Sequence, residues 1–362
     1  MKQFYAIIAF IALSIIGAKA EAAAPQAEIG LPEGVYYSPE ASIVVPIGTP
    51  LTFTDASTGS PTSRAWQFPG SATPHSSEAN PTVVYVEEGT FDITLEVAND
   101  AGTSTTHIYN VKAGGQSLAW NINADERADI DIIELGWYGN YAGSNLLDMD
   151  AFAERFEAPA SPVTIESVNV YFGSVEAIST DAPITVSVAL ADADRLPGEA
   201  LASSTLTASQ LVDGSDAKDR ATIFTLDQPV EVDTTFFITI EGFPNEANAK
   251  GSDNIAVYAV RRGENERNSA YQLLKEWDDN WLPTGESNWH AQTDDPTSIA
   301  IAPTISFRDG DSGVGGIVAD TSQDSPATYY NLQGIRLGDE RPTAPGIYIA
   351  RKGATSIKIL VR

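Results

Sequence analysis

Three histidines, no cysteine and 49 aspartates and glutamates bound the chemistry open to this chain of 362 residues. Nucleophilic catalysis by a Ser-His-Asp or Cys-His set needs a base beside its nucleophile. His75 and His107 fall in a Thr- and Val-rich stretch, while His290 follows Trp289 and is the one general base open to the larger C-terminal part. A lone histidine beside a tryptophan suits packing or the surface as well as catalysis. There is no HExxH zinc pair and no glycine-rich phosphate loop. Two carboxylates about 5 to 10 Å apart could hydrolyse a glycoside, but acidic residues are so abundant that no pair stands out. The expectation is a chain without a catalytic set.

Two acidic clusters could hold a cation: Asp125, Glu126, Asp129 and Asp131, and then Asp309-Gly310-Asp311. Oxygen-rich loops suit calcium, yet neither follows a complete calcium-loop pattern. The alternatives are a solvated strand edge for the first and an inter-domain linker for the second. Aromatic residues give the better binding signal. Trp137, Tyr138 and Tyr141 lie among glycines, and Trp277, Trp281 and Trp289 surround Asp278, Asp279 and Asn280. Exposed indoles flanked by carboxylates and amides stack on sugar rings while the polar groups meet hydroxyls. The alternative is that these rings cap the end of a core.

The elements that must position such groups read as strands. Phe91, Ile93, Leu95 and Val97 alternate with Asp92, Thr94 and Glu96, the period of a strand with one wet face. Asn99-Asp100-Ala101-Gly102 closes it, and a Thr-rich strand runs on to Val111. Further on, Val168, Val170 and Phe172, then Ile184, Val186, Val188 and Leu190, then Phe236, Ile238 and Ile240, and last Ile299, Ile301 and Ile305 repeat the pattern. The fold class expected is all-β, with two antiparallel sandwiches and a short C-terminal β tail.

Address and charge narrow the role. Lys2, an apolar run over 4–17 and Ala18-Lys19-Ala20 form a secretory signal peptide cut after Ala20. The run is shorter than the roughly 20 residues of a spanning helix, and no later segment supplies a transmembrane one. The chain is expected outside the cytoplasm. Without cysteine it has no disulfide and no thiolate metal site. A net charge of -28 argues against nucleic acid and against anionic membrane surfaces.

The order "LTFTDASTGSPTSRAWQFPG" and then "NPTVVYVEEGTFDITLEVANDAG" resembles the PKD family of immunoglobulin-like sandwiches. The resemblance covers residues 38–113 and implies a spacer or weak contact module, with Trp66, Phe68, Tyr85 and Phe91 in its core. Where the family usually has Phe-Gly-Asp-Gly this chain has Phe68-Pro69-Gly70, which removes the acidic turn residue. Residues 21–37 read as a linker, and Gly114-Gly115 as a hinge. Residues 116–308, with "RLPGEALASS" and "DQPVEVDTTFFITIEGF", look like a jelly-roll-like accessory module that recurs in exported Bacteroidota proteins. After a linker over 309–325, the tail 326–362 resembles the end of a type IX secretion C-terminal sorting domain, through Asn331, Leu332 and Gly334, then Pro345, Gly346 and Tyr348. That resemblance implies export machinery as a partner and the surface or surroundings of a Gram-negative bacterium. The tail also carries Arg336, Arg341, Arg351, Lys352, Lys358 and Arg362 against Asp339 and Glu340, reversing the sign of the rest. The function expected is noncatalytic adhesion or ligand binding at the cell surface, glycan or glycoprotein favoured. A carboxylate-based secreted hydrolase or its accessory subunit, and a purely structural envelope component, stand as alternatives.

Overall fold

The computed structural model describes residues 23–176, 182–244, 254–262, 267–277, 283–292, 295–307, 315–318, 328–331, 335–344, 346–352 and 355–361. The expected signal peptide, 1–20, lies outside them. The described residues form an all-β molecule with three short 3-10 turns.

The N-terminal sandwich is built on one long hairpin, Gly89–Asn99 against Gly102–Ala113. Its turn is the one the sequence predicts: the Asn99 side chain accepts the backbone N–H groups of Ala101 and Gly102 at 2.8 and 3.2 Å. The sheet runs in the order Tyr36–Tyr37, Ile43–Val45, Gly102–Ala113, Gly89–Asn99, Ser63–Gln67, His75–Ser76. Pro50–Thr52 pairs with Thr82–Val84 in a second, smaller sheet. Period-two alternation turns Ile93, Leu95 and Val97 inward onto Trp66, Phe68 and Tyr85, all buried. The Trp66 and Phe68 rings stack at 5.4 Å, and the indole N–H of Trp66 donates to the Glu78 carbonyl at 2.9 Å. Phe91 is half-buried at the rim of this core, 6.0 Å from the Tyr85 ring.

The second sandwich faces a four-stranded sheet with a six-stranded one. The first runs Gln116–Leu118, Ile301–Phe307, Val163–Val170, Thr222–Val232. The second runs Pro197–Thr207, Pro183–Ala191, Phe236–Glu241, Met149–Phe156, Ala270–Trp277, Pro283–Ala291. Between them lie Val168, Val170, Phe172, Ile184, Val186, Val188, Phe236, Ile238, Ile240, Ile299, Ile301 and Ile305. The inward set predicted from alternation is thus the core of this domain, with Leu190 packed against its edge.

Two expected linkers are corrected. Residues 24–37 join the fold: Ile29–Gly30 pairs with Thr54–Asp55, and Tyr36–Tyr37 with Ile43 and Val44. Their pairings are two residues long, too short to print a period in the sequence. Within 309–325, Gly315–Val318 is a strand parallel to Thr355–Val361. It completes a five-stranded C-terminal sheet with Gly346–Lys352, Thr328–Tyr330 and Arg336–Gly338. In that sheet the Asn331 side chain accepts the N–H of Ile335 at 2.8 Å and closes a turn, while the Tyr348 hydroxyl donates to the Ala344 carbonyl at 3.1 Å. Leu332, Gly334 and Pro345 lie outside the described residues.

The two sandwiches meet in a bonded junction, and at the connection expected as a hinge one backbone bond extends the ladder of the N-terminal sandwich. Gly114 donates its N–H to the Val45 carbonyl at 2.9 Å. The Trp120 N–H donates to the Tyr37 carbonyl at 2.8 Å, and the Tyr36 hydroxyl to the Glu157 carbonyl at 2.5 Å. Arg127 of the second domain donates to the carbonyls of Ser38 and Ala41. Tyr36 and Val44 belong to the core of the second sandwich. At Gly34 (φ +72°) a Cβ would stand 2.3 Å from the Ala160 nitrogen, so only glycine lets the two chains approach this closely.

Candidate ligand-binding site

The most exposed aromatic group sits on the loop that leads into strand Met149–Phe156. Gly136–Tyr138 forms a single 3-10 turn between glycines at φ +63° and +97°. Backbone bonds close the loop on itself: Leu135 N–H to Gly139 O at 2.8 Å, Leu146 N–H to Tyr138 O at 2.8 Å, and Asn140 N–H to Ser144 O at 2.8 Å. Asn145, buried, holds its base by donating to the carbonyls of Gly143 and Met149 and accepting from Leu147 and Met149. A Cβ on Gly139 would stand 2.3 Å from the Ser144 carbonyl oxygen, so the reversal needs glycine for space as well as for φ. The product is a braced turn that leaves Trp137 91% and Tyr138 55% exposed, with Leu146 and Leu147 exposed beside them.

Tyr141, predicted as part of the same platform, does not belong to it. It is only 3% exposed, packs edge-on against Phe152 at 5.2 Å, and donates its hydroxyl to Gln272 at 3.3 Å. Burial holds that hydroxyl well above the ordinary tyrosine range, and the charge of Glu154 adds to the effect. The chain reverses at Gly139, so residues two positions to either side of it face opposite environments.

Strand register brings the strands that carry Trp277 and Trp289 to the same end of the molecule. Met149 pairs with Leu274 in antiparallel register, so the loop before Met149 and the hairpin following Leu274 leave the sheet on one side. Lys275 ties them, 3.6 Å from Asp148 and 3.2 Å from Asp150. Its hydrogen bond with Asp150, then the charges of both carboxylates, raises its pKa. Trp289 is half-buried opposite Leu273, and Asn288 and His290 both reach Glu276, at 3.2 and 3.3 Å. His290 thus has a carboxylate partner on its own hairpin. Trp277 ends strand Ala270–Trp277, and its side chain, like Trp281, lies outside the described residues.

Part of the first acidic cluster is used locally. The Asn123 side chain caps the N–H groups of Asp125 and Glu126 at 2.9 Å each, and Glu126 pairs with Arg262 at 2.9 Å. Asp125 and Asp129 are exposed, and Asp131 accepts the N–H of Ile132 at 2.9 Å and lies 3.9 Å from Lys218. Among the described residues no three histidine or acidic side chains converge as a metal set. Asp309 and Asp311 lie outside the described residues.

Sequence reasoning missed three features. Leu146 and Leu147 extend the exposed apolar face, and an adjacent leucine pair in a Gly-Ser-Asn loop was the available signal. Glu154 is fully buried on strand Met149–Phe156, accepting from Asn121 at 2.7 Å, Ser298 at 2.7 Å and the Ile299 N–H at 2.8 Å. Trp120 and Tyr171 stack at 5.3 Å on the outer side of the four-stranded sheet, where alternation promises only wet residues.

The model of the PKD domain family matches residues 34–111, the N-terminal sandwich described above. A comparison with curated proteins gives no match. Among solved structures, the chain is similar to one described under "Structural basis for the promiscuous specificity of the carbohydrate-binding modules from the beta-sandwich super family". The identity is 14%, over 62% of this chain and 98% of that one, with a TM-score of 0.22, a superposition too loose to bear on the second domain. PKD domains are usually extracellular, and among the described residues no helix is long and apolar enough to cross a membrane. The N-terminal part of this chain is thus a PKD domain, joined to a larger β-sandwich.

Proposed function

We propose that the chain is an exported, noncatalytic surface protein whose second sandwich binds glycan or glycoprotein at the end formed by loop 135–148 and the hairpin Ala270–Trp277 with Pro283–Ala291. One observation carries the reading: Trp137 is 91% exposed on a turn held by its own backbone bonds. A rigid, solvated indole with Tyr138, Leu146 and Leu147 beside it is an apolar patch whose burial by a partner is favourable. Asp148, Asp150, Glu276 and Asn288 lie at the same end and supply hydrogen-bond partners for hydroxyl groups. The turn being already ordered, little conformational entropy is lost when the patch is covered.

In this reading the PKD domain supports the binding domain, residues 1–20 direct export, and the basic C-terminal sheet serves the sorting or attachment step. The test is binding of the purified chain to immobilised glycans and mucin glycopeptides, with calcium and with chelator. Trp137→Ala weakens saturable binding at least about tenfold, equal to about 1.4 kcal/mol. Unchanged binding in that variant overturns the assignment to this end, and chelator sensitivity would assign the acidic loops a cation.

A further inference from the structure

The outer face of the four-stranded sheet carries a second concave feature, at the junction of the two domains. A cleft of about 440 Å³ opens between Glu40 of the PKD domain and the strand and loop residues Asn169, Tyr171, Lys218 and Asp219. That volume lies in the range of small-molecule sites, about 300 to 1,000 Å³. Its floor is the Trp120–Tyr171 pair, stacked at 18° and each about 5% exposed. The Arg127 guanidinium lies 6.0 Å from the Trp120 ring. Over Asn169 the cleft continues into a groove along Ser167, Thr304 and the exposed Ile223.

We propose that this cleft is a second binding site, taking one neutral pyranose unit of a longer saccharide, separate from the aromatic end. The lining argues for the class. Arg127 and Lys218 balance Glu40 and Asp219 in the lining, so the cleft has no net sign that would select an ion. Donors, acceptors and an amide over an apolar floor match a small ring with several hydroxyls. The indole N–H of Trp120 and the Nε–H of Arg127 are buried and meet no acceptor among the described residues. Buried donors are nearly always paired, and these two are exceptions in residues that line the cleft. Burial, with Glu40 adding, pushes the Tyr171 pKa up to about 12, so its hydroxyl keeps its proton at neutral pH. The adjoining groove gives the neighbouring sugar units a path.

The site is tested on the intact chain with methyl glycosides of glucose, galactose, mannose and N-acetylglucosamine and their β-linked oligomers, followed by tryptophan fluorescence and saturation-transfer NMR. At least one neutral glycoside binds saturably, longer oligomers bind more tightly, and Asp219→Ala, an exposed position, weakens binding at least about tenfold. Tyr171→Phe, which keeps the ring, weakens it in the same direction. Binding lost in Trp137→Ala and unaffected by Asp219→Ala belongs to loop 135–148 and overturns the proposal while leaving the proposed function intact. Tighter binding of methyl glucuronide overturns the neutral class, and no saturable binding of any probe overturns the site.

Discussion

Replacing Glu154 tests how the second sandwich is held together. The carboxylate is completely buried and accepts hydrogen bonds from Asn121, Ser298 and the Ile299 backbone, with the Ser269 hydroxyl adding to the set. Glu154→Ala leaves the Ile299 N–H without its acceptor, while Ser298 can rotate and Asn121 keeps its second bond, to the Arg155 carbonyl at 2.8 Å. One or two stranded buried donors cost about 1–3 kcal/mol each. Glu154→Gln keeps the shape and one acceptor oxygen but turns an NH₂ toward a donor, which costs about 1–3 kcal/mol. The pH dependence carries a sign. Burial raises the Glu154 pKa above its ordinary value, against the opposing pull of its hydrogen bonds and of Arg262. A carboxyl whose pKa is higher folded than unfolded contributes stability fully present below the unfolded pKa, about 4.3, and lost as pH rises through the folded value. The advantage of the native chain over Glu154→Gln is therefore largest in acid and shrinks toward neutrality. Urea unfolding of both chains across this pH range, read by tryptophan fluorescence, measures it. An advantage that grows with pH would show that the donors outweigh burial, and Glu154→Ala within about 0.5 kcal/mol of native would refute the buried network as a stabilising element.

Gly139→Ala places a methyl 2.3 Å from the Ser144 carbonyl at φ +97° and costs about 1–3 kcal/mol, with the loss confined to the loop. Binding to glycan surfaces falls while the global urea midpoint moves little; Gly136→Ala, with open space around it, has the smaller effect. Tyr36→Phe removes the 2.5 Å bond to Glu157 and keeps the edge-on contact with Phe156 at 6.0 Å. It destabilises by about 0.5–1.5 kcal/mol in urea unfolding, and hydrogen exchange near residues 157–160 speeds up.

Alternation made the two cores legible because each long strand buries one face against a partner sheet. Ile93, Leu95 and Val97, and likewise Ile184, Val186 and Val188, have no other way to leave water. Trp66 and Phe68 follow from the same rule, since the ring at i and the ring at i+2 share a face. The rule fails where a third layer covers the outer face. Tyr171 and Asn169 sit at wet positions of strand and loop, yet the segment carrying Trp120, Ile122 and Ile130 lies over them as a separate small core. It also fails in loops: Trp137 and Tyr141 read as one cluster, and only the backbone reversal at Gly139 decides that one is solvated and the other buried. For the acidic stretch from Asp125 to Asp131, sequence leaves a cation loop and a solvated edge both open, because it shows carboxylates but not the Asn123 cap and the Arg262 pairing beside them.

The junction changes what a PKD domain contributes to this chain. A spacer on a free hinge would leave the second sandwich to reorient, and each reorientation would add entropy lost when that sandwich is held by a partner. Here Tyr36 is sunk in the core of the second sandwich, Arg127 returns to the carbonyls of Ser38 and Ala41, and Gly34 admits Ala158 to Ala160 at backbone distance. These contacts come from residues 34–41 of the PKD domain, away from the connecting glycines. Opening the junction would expose the Tyr36 ring, break backbone bonds and unstack the environment of Trp120 together, so it is opposed cooperatively. The PKD domain therefore acts as a fixed wall of the junction cleft, with Glu40 as its contribution, and the orientation of the aromatic end relative to it is set by packing before any ligand arrives.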